Sequence, residues 1–314
     1  MKVVFIDTVH SILEERLHAA GFSCIDASSF SREECTQIIA DAEGIVVRSR
    51  FPMDAEFLTH APHLKFIARA GAGMENIDEE YAEKHGIKLY NAPEGNRNAV
   101  GEHALGMLLA LFNKMHTADR DIRLGKWERE HNRGVELDGK TVGLIGFGNN
   151  GQAFAKKLRG FDVDVIAYDK YKKNFGTSDV EEVDMEAIFK RADVLSFHIP
   201  QTDETLFMAN ADFFHSFEKS IYVINLSRGK IIQTSALVEA LKSTKVLGAG
   251  LDVLEYEKAS FESFFEQDLS PDFKYILNAE NVILSPHVGG WTHESHFKLS
   301  DVLADKILAK WKTI

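Results

Sequence analysis

Residues 142–158, VGLIGFGNNGQAFAKKL, decide the fold: an apolar run turns through Gly146, Gly148 and Gly151 into a stretch of good helix formers. Spaced G-x-G-x-x-G between strand and helix, the glycines would serve a tight turn, close approach of backbone to a pyrophosphate, and close helix–strand packing. Phosphates would then meet unpaired N–H groups at the helix N-terminus. Asp169 closes the next apolar run, VIAYD, about twenty residues on, where a carboxylate accepts the ribose hydroxyls of NAD and repels the 2′-phosphate of NADP. Lys170, Lys172 and Lys173 beside it could partly offset that repulsion. Three glycines can also make a bare strand-to-helix turn, and methyltransferases place an acid after a Gly-rich turn too. Strand, helix and spaced Asp together favour a dinucleotide.

Outward from this motif, the segments DVDVIAYD, ADVLSFHIP, IYVINLS, KVLGAGLDVL and NVILSPHVGG repeat the pattern of a strand buried on both faces. Upstream, short apolar runs at 3–6, 44–47 and 64–68 alternate with helical periodicity at 12–20 and 32–42, which means βαβ units around a second parallel sheet. Between the two series, 99–117 reads as one long helix with Val100, Ala104, Met107, Leu108 and Leu111 on its apolar face. After Gly290 only the helical stretch 292–312 remains, too short for a domain, so it should return to the first one. The expected fold is therefore α/β, with two doubly wound parallel-sheet domains: 1–97 with 291–314, and 98–290 inserted between them. No internal repeat, low-complexity segment or long linker interrupts this plan.

The chain of 314 residues, 45% hydrophobic, is long enough for two cores. Its 48 acidic against 36 basic residues give a formal charge of -12, which disfavours nucleic acid and anionic membranes as partners but not a small anionic metabolite met by a few converging cations. Two cysteines, Cys24 and Cys35, a start without a leader-like segment and no membrane-length apolar run point to a reduced, cytoplasmic protein. Nothing in the sequence suggests a metal.

Three later segments, INLSRG, GLDVLEYEK and SPHVGG, place polar groups at strand ends, where ligands bind in open α/β sheets. Hydride transfer between an alcohol and NAD needs a proton carrier, an anchor for a substrate carboxylate and a group that tunes the carrier. His, Arg and Glu side chains within these segments meet those needs. Taken singly, Arg228 could be a surface ion pair, Glu257 a solvated loop charge and His287 one satisfied histidine among 13. Their order behind a dinucleotide motif argues for the functional reading.

With these motifs, from the loop RAGAGMENID to SPHVGG, essentially the whole chain resembles the D-isomer-specific 2-hydroxyacid dehydrogenases, and within them the phosphoglycerate dehydrogenases of serine biosynthesis. The resemblance implies a Rossmann NAD-binding domain inserted into a flavodoxin-like substrate domain. It makes Arg228 the carboxylate and carbonyl anchor, a planar fork that Lys cannot replace. It makes His287 the acid/base and Glu257 its partner, whose charge favours the imidazolium, and it puts Asp252 near the nicotinamide. It assigns Asn149 and Asn150 to the pyrophosphate turn, His198, Pro200 and Thr205 to the adenosine side, and Leu226, Ser227, Gly289 and Gly290 to the nicotinamide side. It sets the N–H groups of Ala72 and Gly73 on the substrate carboxylate, although that loop could be an ordinary strand-end turn. Three positions depart from the family: Asn150 replaces an apolar residue, Lys258 a proline and Glu94 a small residue.

Arg48, Ser49 and Arg50 resemble the segment that contacts substrate phosphate in phosphoglycerate dehydrogenases, which implies 3-phosphoglycerate as the hydroxy acid. Solvated arginines, with reduction of glyoxylate, hydroxypyruvate or D-lactate-type acids, are the alternative. The chain stops after the closing helix, so a C-terminal regulatory module is not expected. A non-enzymatic relative, the NAD-sensing corepressors, would need an exposed apolar groove and disordered tails. The resemblance also implies a homodimer through the nucleotide domain, involving 99–117 and the segment around Trp127, although 99–117 could equally be an intramolecular core helix. Closure about hinges near Asn96 and Gly290 is a separate expectation, because a dry cleft would shield hydride transfer from water.

Overall fold

The computed structural model describes residues 1–257 and 269–311. These form two compact units, one of residues 1–97 and 291–311, the other of 98–257 and 269–290. The chain leaves the first between Arg97 and Asn98 and re-enters it between Gly290 and Trp291.

The smaller unit holds five strands, β1 (Lys2–Phe5), β2 (Ser23–Asp26), β3 (Gly44–Val47), β4 (Phe66–Arg69) and β5 (Lys88–Tyr90), all parallel in the order β2-β1-β3-β4-β5. That is the flavodoxin order. Successive residues of one strand point to opposite faces, so Val4, Ile45, Val47 and Ile67 enter one apolar cluster while Val3, Phe5, Val46 and Phe66 enter another. The helix His293–Trp311 closes the second face with Leu299, Leu303 and Ile307, all buried. Each such side chain contributes about 1.5–3 kcal/mol when removed from water. This anchors the returning chain end to the unit in which the chain began.

The larger unit holds β6 (Thr141–Ile145), β7 (Asp164–Tyr168), β8 (Glu181–Glu182), β9 (Val194–Phe197), β10 (Ile221–Asn225), β11 (Val246–Leu251) and β12 (Val282–Leu284). They are parallel in the order β12-β11-β10-β9-β6-β7-β8. The winding reverses between β6 and β9, and open α/β sheets bind ligands at the carboxyl ends of strands beside such a point. Strand β8, two glutamates at the sheet edge, carries no apolar run and left no mark in the sequence pattern.

One helix differs from the sequence reading. In place of a single helix over 99–117 the chain forms Pro93–Phe112 and then Met115–Arg123. The first starts earlier because Pro93 suits an opening turn, where a missing N–H is no loss, and the polar stretch after it lacks apolar periodicity but not helix-forming capacity. It stops because Lys114 adopts a left-handed conformation, φ 50°, and Asn113 Nδ2 bonds Leu109 O at 3.0 Å. The five apolar-face residues named above are all buried. Among the described residues no helix is long and apolar enough to cross a membrane, and no group of three or more His, Cys, Asp or Glu is placed to hold a metal ion.

Candidate active site

At the carboxyl end of β6 the three glycines have separable reasons. Gly146 sits at φ 92°, and a Cβ there would lie 2.5 Å from His198 O. A Cβ on Gly151 would lie 2.3 Å from Gly146 O. Protein packing therefore demands both. Around Gly148 nothing lies within 4 Å of an added Cβ, so the fold itself does not require glycine at this N-cap of the helix Asn149–Leu158. What a side chain would obstruct there is a ligand's approach to the helix N-terminus. Asn150 Oδ1 is buried with no hydrogen-bond partner among the described residues, a second opening for a ligand donor.

Asp169, after β7, accepts N–H bonds from Phe147 at 2.9 Å, Tyr171 at 3.0 Å and Lys172 at 2.9 Å. Burial alone would raise its pKa, but these donors outweigh it and hold the carboxyl below its ordinary value. The acid is thus ionised and tied to the turn between Gly146 and Gly148. Of the neighbouring cations, Lys170 Nζ pairs with Glu204 at 2.8 Å and Lys172 Nζ donates to Phe147 O at 3.1 Å, so both have partners inside the protein. Behind the turn, the His198 ring is 2.9 Å from Ser196 Oγ, and burial pushes it down to about 3, leaving it neutral. Thr205 Oγ1 donates to Pro200 O at 2.7 Å and shapes the loop after β9. The donors, the open Gly148 face and the ionised Asp169 fit NAD.

The second group of residues leaves three neighbouring strands at one end of the sheet, since Asn225 pairs with Leu251 and Leu251 with Leu284. Arg228, Asp252, Glu257 and His287 all follow those pairs. Glu257 Oε2 lies 2.8 Å from His287 Nδ1, and Glu257 Oε1 accepts Leu254 N–H at 2.5 Å, so the carboxylate is fixed on both sides. Gly229 brings the Arg228 loop against this one: a Cβ on Gly229 would lie 1.9 Å from Leu254 O. Asn225 shapes the same loop, its Nδ2 donating to Arg228 O at 3.0 Å and its Oδ1 accepting Ser227 Oγ at 2.7 Å. The Arg228 guanidinium donates to Ser227 O at 2.6 Å. Leu226 and Asp252 are buried, and a Cβ on Gly289 would come within 2.8 Å of each. Gly290 is the last residue of the unit. Gly229 and Asn225 escaped the sequence reading, although a glycine directly after the arginine was a signal of close backbone approach.

In the smaller unit, residues 48–50 are organised by one carboxylate the sequence did not single out. Asp7 Oδ2 accepts the N–H groups of Arg48 at 3.1 Å, Ser49 at 2.8 Å and Arg50 at 3.0 Å. The segment bends around Asp7. Arg50 turns inward and donates to Ile6 O at 3.1 Å and Ala27 O at 3.3 Å. Arg48 lies over the Trp291 ring, 4.5 Å from its centroid, and its guanidinium donates to no other described residue. The N–H groups of Ala72 and Gly73 likewise meet no acceptor among the described residues, while Ala72 O is held by Asn91 Nδ2 at 2.7 Å. Glu94 does not add an uncompensated charge: Lys306 Nζ sits 2.9 Å away, and although burial opposes it this contact holds the Glu94 carboxyl below its ordinary value. Lys258 lies outside the described residues.

Comparison with known proteins matches residues 105–289 to the family described as D-isomer specific 2-hydroxyacid dehydrogenase, NAD binding domain. The chain is 35% identical over 310 residues to a D-3-phosphoglycerate dehydrogenase of Archaeoglobus fulgidus, covering 98% of this chain but only 57% of that relative. It is 36% identical to a hydroxypyruvate reductase of Thermotoga maritima, covering 90% of this chain and 89% of the other. The structure of a D-lactate dehydrogenase from Aquifex aeolicus, complexed with NAD and lactic acid, superposes with a TM-score of 0.81 at 27% identity, over 98% of this chain and 95% of that one.

Proposed function

The chain belongs to the D-isomer specific 2-hydroxyacid dehydrogenase family, and we propose that it is an NAD-dependent enzyme interconverting a D-2-hydroxy acid and its 2-keto acid, with 3-phosphoglycerate and 3-phosphohydroxypyruvate as the substrate pair. The observation that carries the reaction is the 2.8 Å contact between His287 Nδ1 and Glu257, at the end of the sheet that bears the dinucleotide turn.

When bound, NAD supplies the hydride acceptor or donor. The turn from Gly146 to Gly151, with Asn149 and Asn150, would hold its pyrophosphate and Asp169 its adenosine ribose. His198, Pro200 and Thr205 would border the adenosine, and Leu226, Ser227, Asp252, Gly289 and Gly290 the nicotinamide. Because Nδ1 of His287 is committed to Glu257, proton exchange with the substrate oxygen falls to Nε2. That nitrogen protonates the carbonyl oxygen in reduction and takes the hydroxyl proton in oxidation. Glu257 fixes the ring's orientation. Arg228 offers a bidentate fork to the substrate carboxylate. In the smaller unit, the Ala72 and Gly73 N–H groups would suit a carboxylate, and Arg48 with Ser49 would suit a phosphate.

A second reading, reduction of glyoxylate or hydroxypyruvate, draws support from Arg50, which is spent on backbone carbonyls and leaves Arg48 as the one cation of the pair available to a dianion. Steady-state rates with NADH and a panel of 2-keto acids separate the two. On the phosphate reading, Arg48→Ala raises KM for 3-phosphoglycerate at least tenfold and barely changes KM for an unphosphorylated acid; equal effects on both would reject it. Tight NADH binding without turnover of any 2-keto acid would instead favour a corepressor-like role. We further propose a cytoplasmic homodimer, supported by the exposed apolar side chains Met115, Ile122, Leu124 and Trp127 on and after the helix Met115–Arg123.

A further inference from the structure

Asp252 holds the segment carrying His287 more completely than a nicotinamide contact alone would need. It is 2% exposed, and its Oδ1 accepts Ser285 Oγ at 2.5 Å and Val288 N–H at 2.9 Å. Its Oδ2 accepts Gly289 N–H at 2.8 Å, and its main-chain oxygen accepts the N–H of His287 at 2.8 Å. Every one of these bonds falls on residues 285–289. Among them His287 is in the left-handed region at φ 54°, a conformation that a residue with a Cβ keeps only where its surroundings over-determine it.

The chain of bonds continues one step further, to a side chain with no assigned role. His103, on the helix Pro93–Phe112, has Nε2 2.9 Å from Ser285 Oγ and 3.7 Å from Asp252 Oδ1. The direction of the bonds follows from chemistry. Ser285 Oγ donates its single hydroxyl hydrogen to Asp252 Oδ1, so Ser285 offers His103 only a lone pair. His103 therefore carries its hydrogen on Nε2 and donates.

We infer that His103 is a positioning residue for the acid/base, acting through Ser285 and Asp252 to hold His287 in its left-handed conformation and in register with Glu257. The inference rests on the dehydrogenase reading for its kinetic consequence, but not for its structural one. Without the His103 donor, the Ser285 hydroxyl loses the partner that orients it and can rotate away from Asp252. The buried carboxylate then loses a bond, and the 285–289 turn relaxes. Misplacing a catalytic group slows the chemical step while leaving groups that bind substrate in place.

The test compares His103→Leu, Ser285→Ala, the double variant and His103→Gln, whose amide N–H can take the place of the imidazole Nε2–H. Expected are a fall in kcat of about tenfold for each single break, KM for NADH and keto acid within about twofold of the parent, no further loss in the double variant, and recovery of most of kcat in His103→Gln. In parallel, the His287 ring resonances of the ¹⁵N-histidine-labelled protein without ligands should move in His103→Leu and Ser285→Ala and return in His103→Gln. Unmoved His287 resonances in His103→Leu overturn the inference whether or not the protein turns over a keto acid. So does a kcat loss that multiplies to about a hundredfold in the double variant. An inactive parent protein whose His287 resonances respond as expected would overturn the reaction and leave the positioning role standing.

Discussion

Two substitutions two residues apart in the glycine turn should fail in opposite ways. Gly146→Ala puts a Cβ 2.5 Å from the main-chain oxygen of His198, on a residue at φ 92°. The left-handed backbone costs roughly 1–2 kcal/mol for a residue with a Cβ, and relief of the clash, which must move backbone, costs roughly 1–3 kcal/mol. Together they should remove about 2–5 kcal/mol from the larger unit. For a unit of this size each kcal/mol is worth roughly 2–4 °C, so its melting midpoint should fall by roughly 4–20 °C. Gly148→Ser meets nothing within 4 Å, at an N-cap that lacks a side-chain cap and has extended backbone, φ -79° and ψ -153°. Serine is a favoured N-cap, so the apo protein should melt within a degree or two of the parent or slightly above it. NADH affinity should nevertheless drop at least tenfold, which is about 1.4 kcal/mol, because the hydroxymethyl group occupies the face left for the pyrophosphate. Differential scanning fluorimetry of the apo variants and titration of NADH fluorescence measure the two quantities. If Gly148→Ser binds NADH like the parent, or destabilises the protein as much as Gly146→Ala, the division of labour among these glycines is wrong.

Glu257→Gln should lower kcat by about a hundredfold with NADH affinity intact, since it removes the charge beside His287 but touches no residue of the turn; an unchanged kcat would remove Glu257 from the mechanism. The His198 ring, neutral when folded with its value pushed down to about 3 from 6.5, takes up a proton more readily in the unfolded chain. Its contribution to stability is therefore complete above about pH 6.5 and declines as pH falls toward 3, and in His198→Asn the urea midpoint should depend less steeply on pH over that window. An unaltered slope would show that other groups govern acid unfolding. Trp127, 79% exposed, should be covered in a dimer. Trp127→Glu should shift the sedimentation coefficient to that of a monomer, and a parent protein that is already monomeric would end the proposal.

How much was legible beforehand depended on the range of the interaction concerned. Runs such as TVGLI and IYVIN are continuous in apolar character because a parallel strand is buried on both faces, and local composition reports that directly. The glycine turn was equally plain, because the spacing of its glycines between strand and helix is a local pattern, although the backbone that crowds Gly146 comes from His198, far along the chain. The segments that carry Arg228, Glu257 and His287 stood out because each follows an apolar run, and runs end where loops carry chemistry; the choice of these residues within them came from the family resemblance.

What escaped was set by partners far away in the chain. Asp7 controls the backbone at 48–50, and in doing so turns Arg50 inward, a matter of which strand lies beside which. Lys306 neutralises Glu94 from the far end of the chain. His103 reaches Ser285 only because a helix from the first third packs over the end of a late strand. The break at Lys114 is a left-handed residue inside an otherwise helical pattern, which propensity does not foresee. Sequence alone thus determined most of the strands and the dinucleotide turn, because those follow from backbone sterics and from which side chains water rejects. Tertiary structure decided which charges are paired, where Arg50 points and what holds His287 in place, because a hydrogen bond depends on ångström-scale distances that only the packed chain creates.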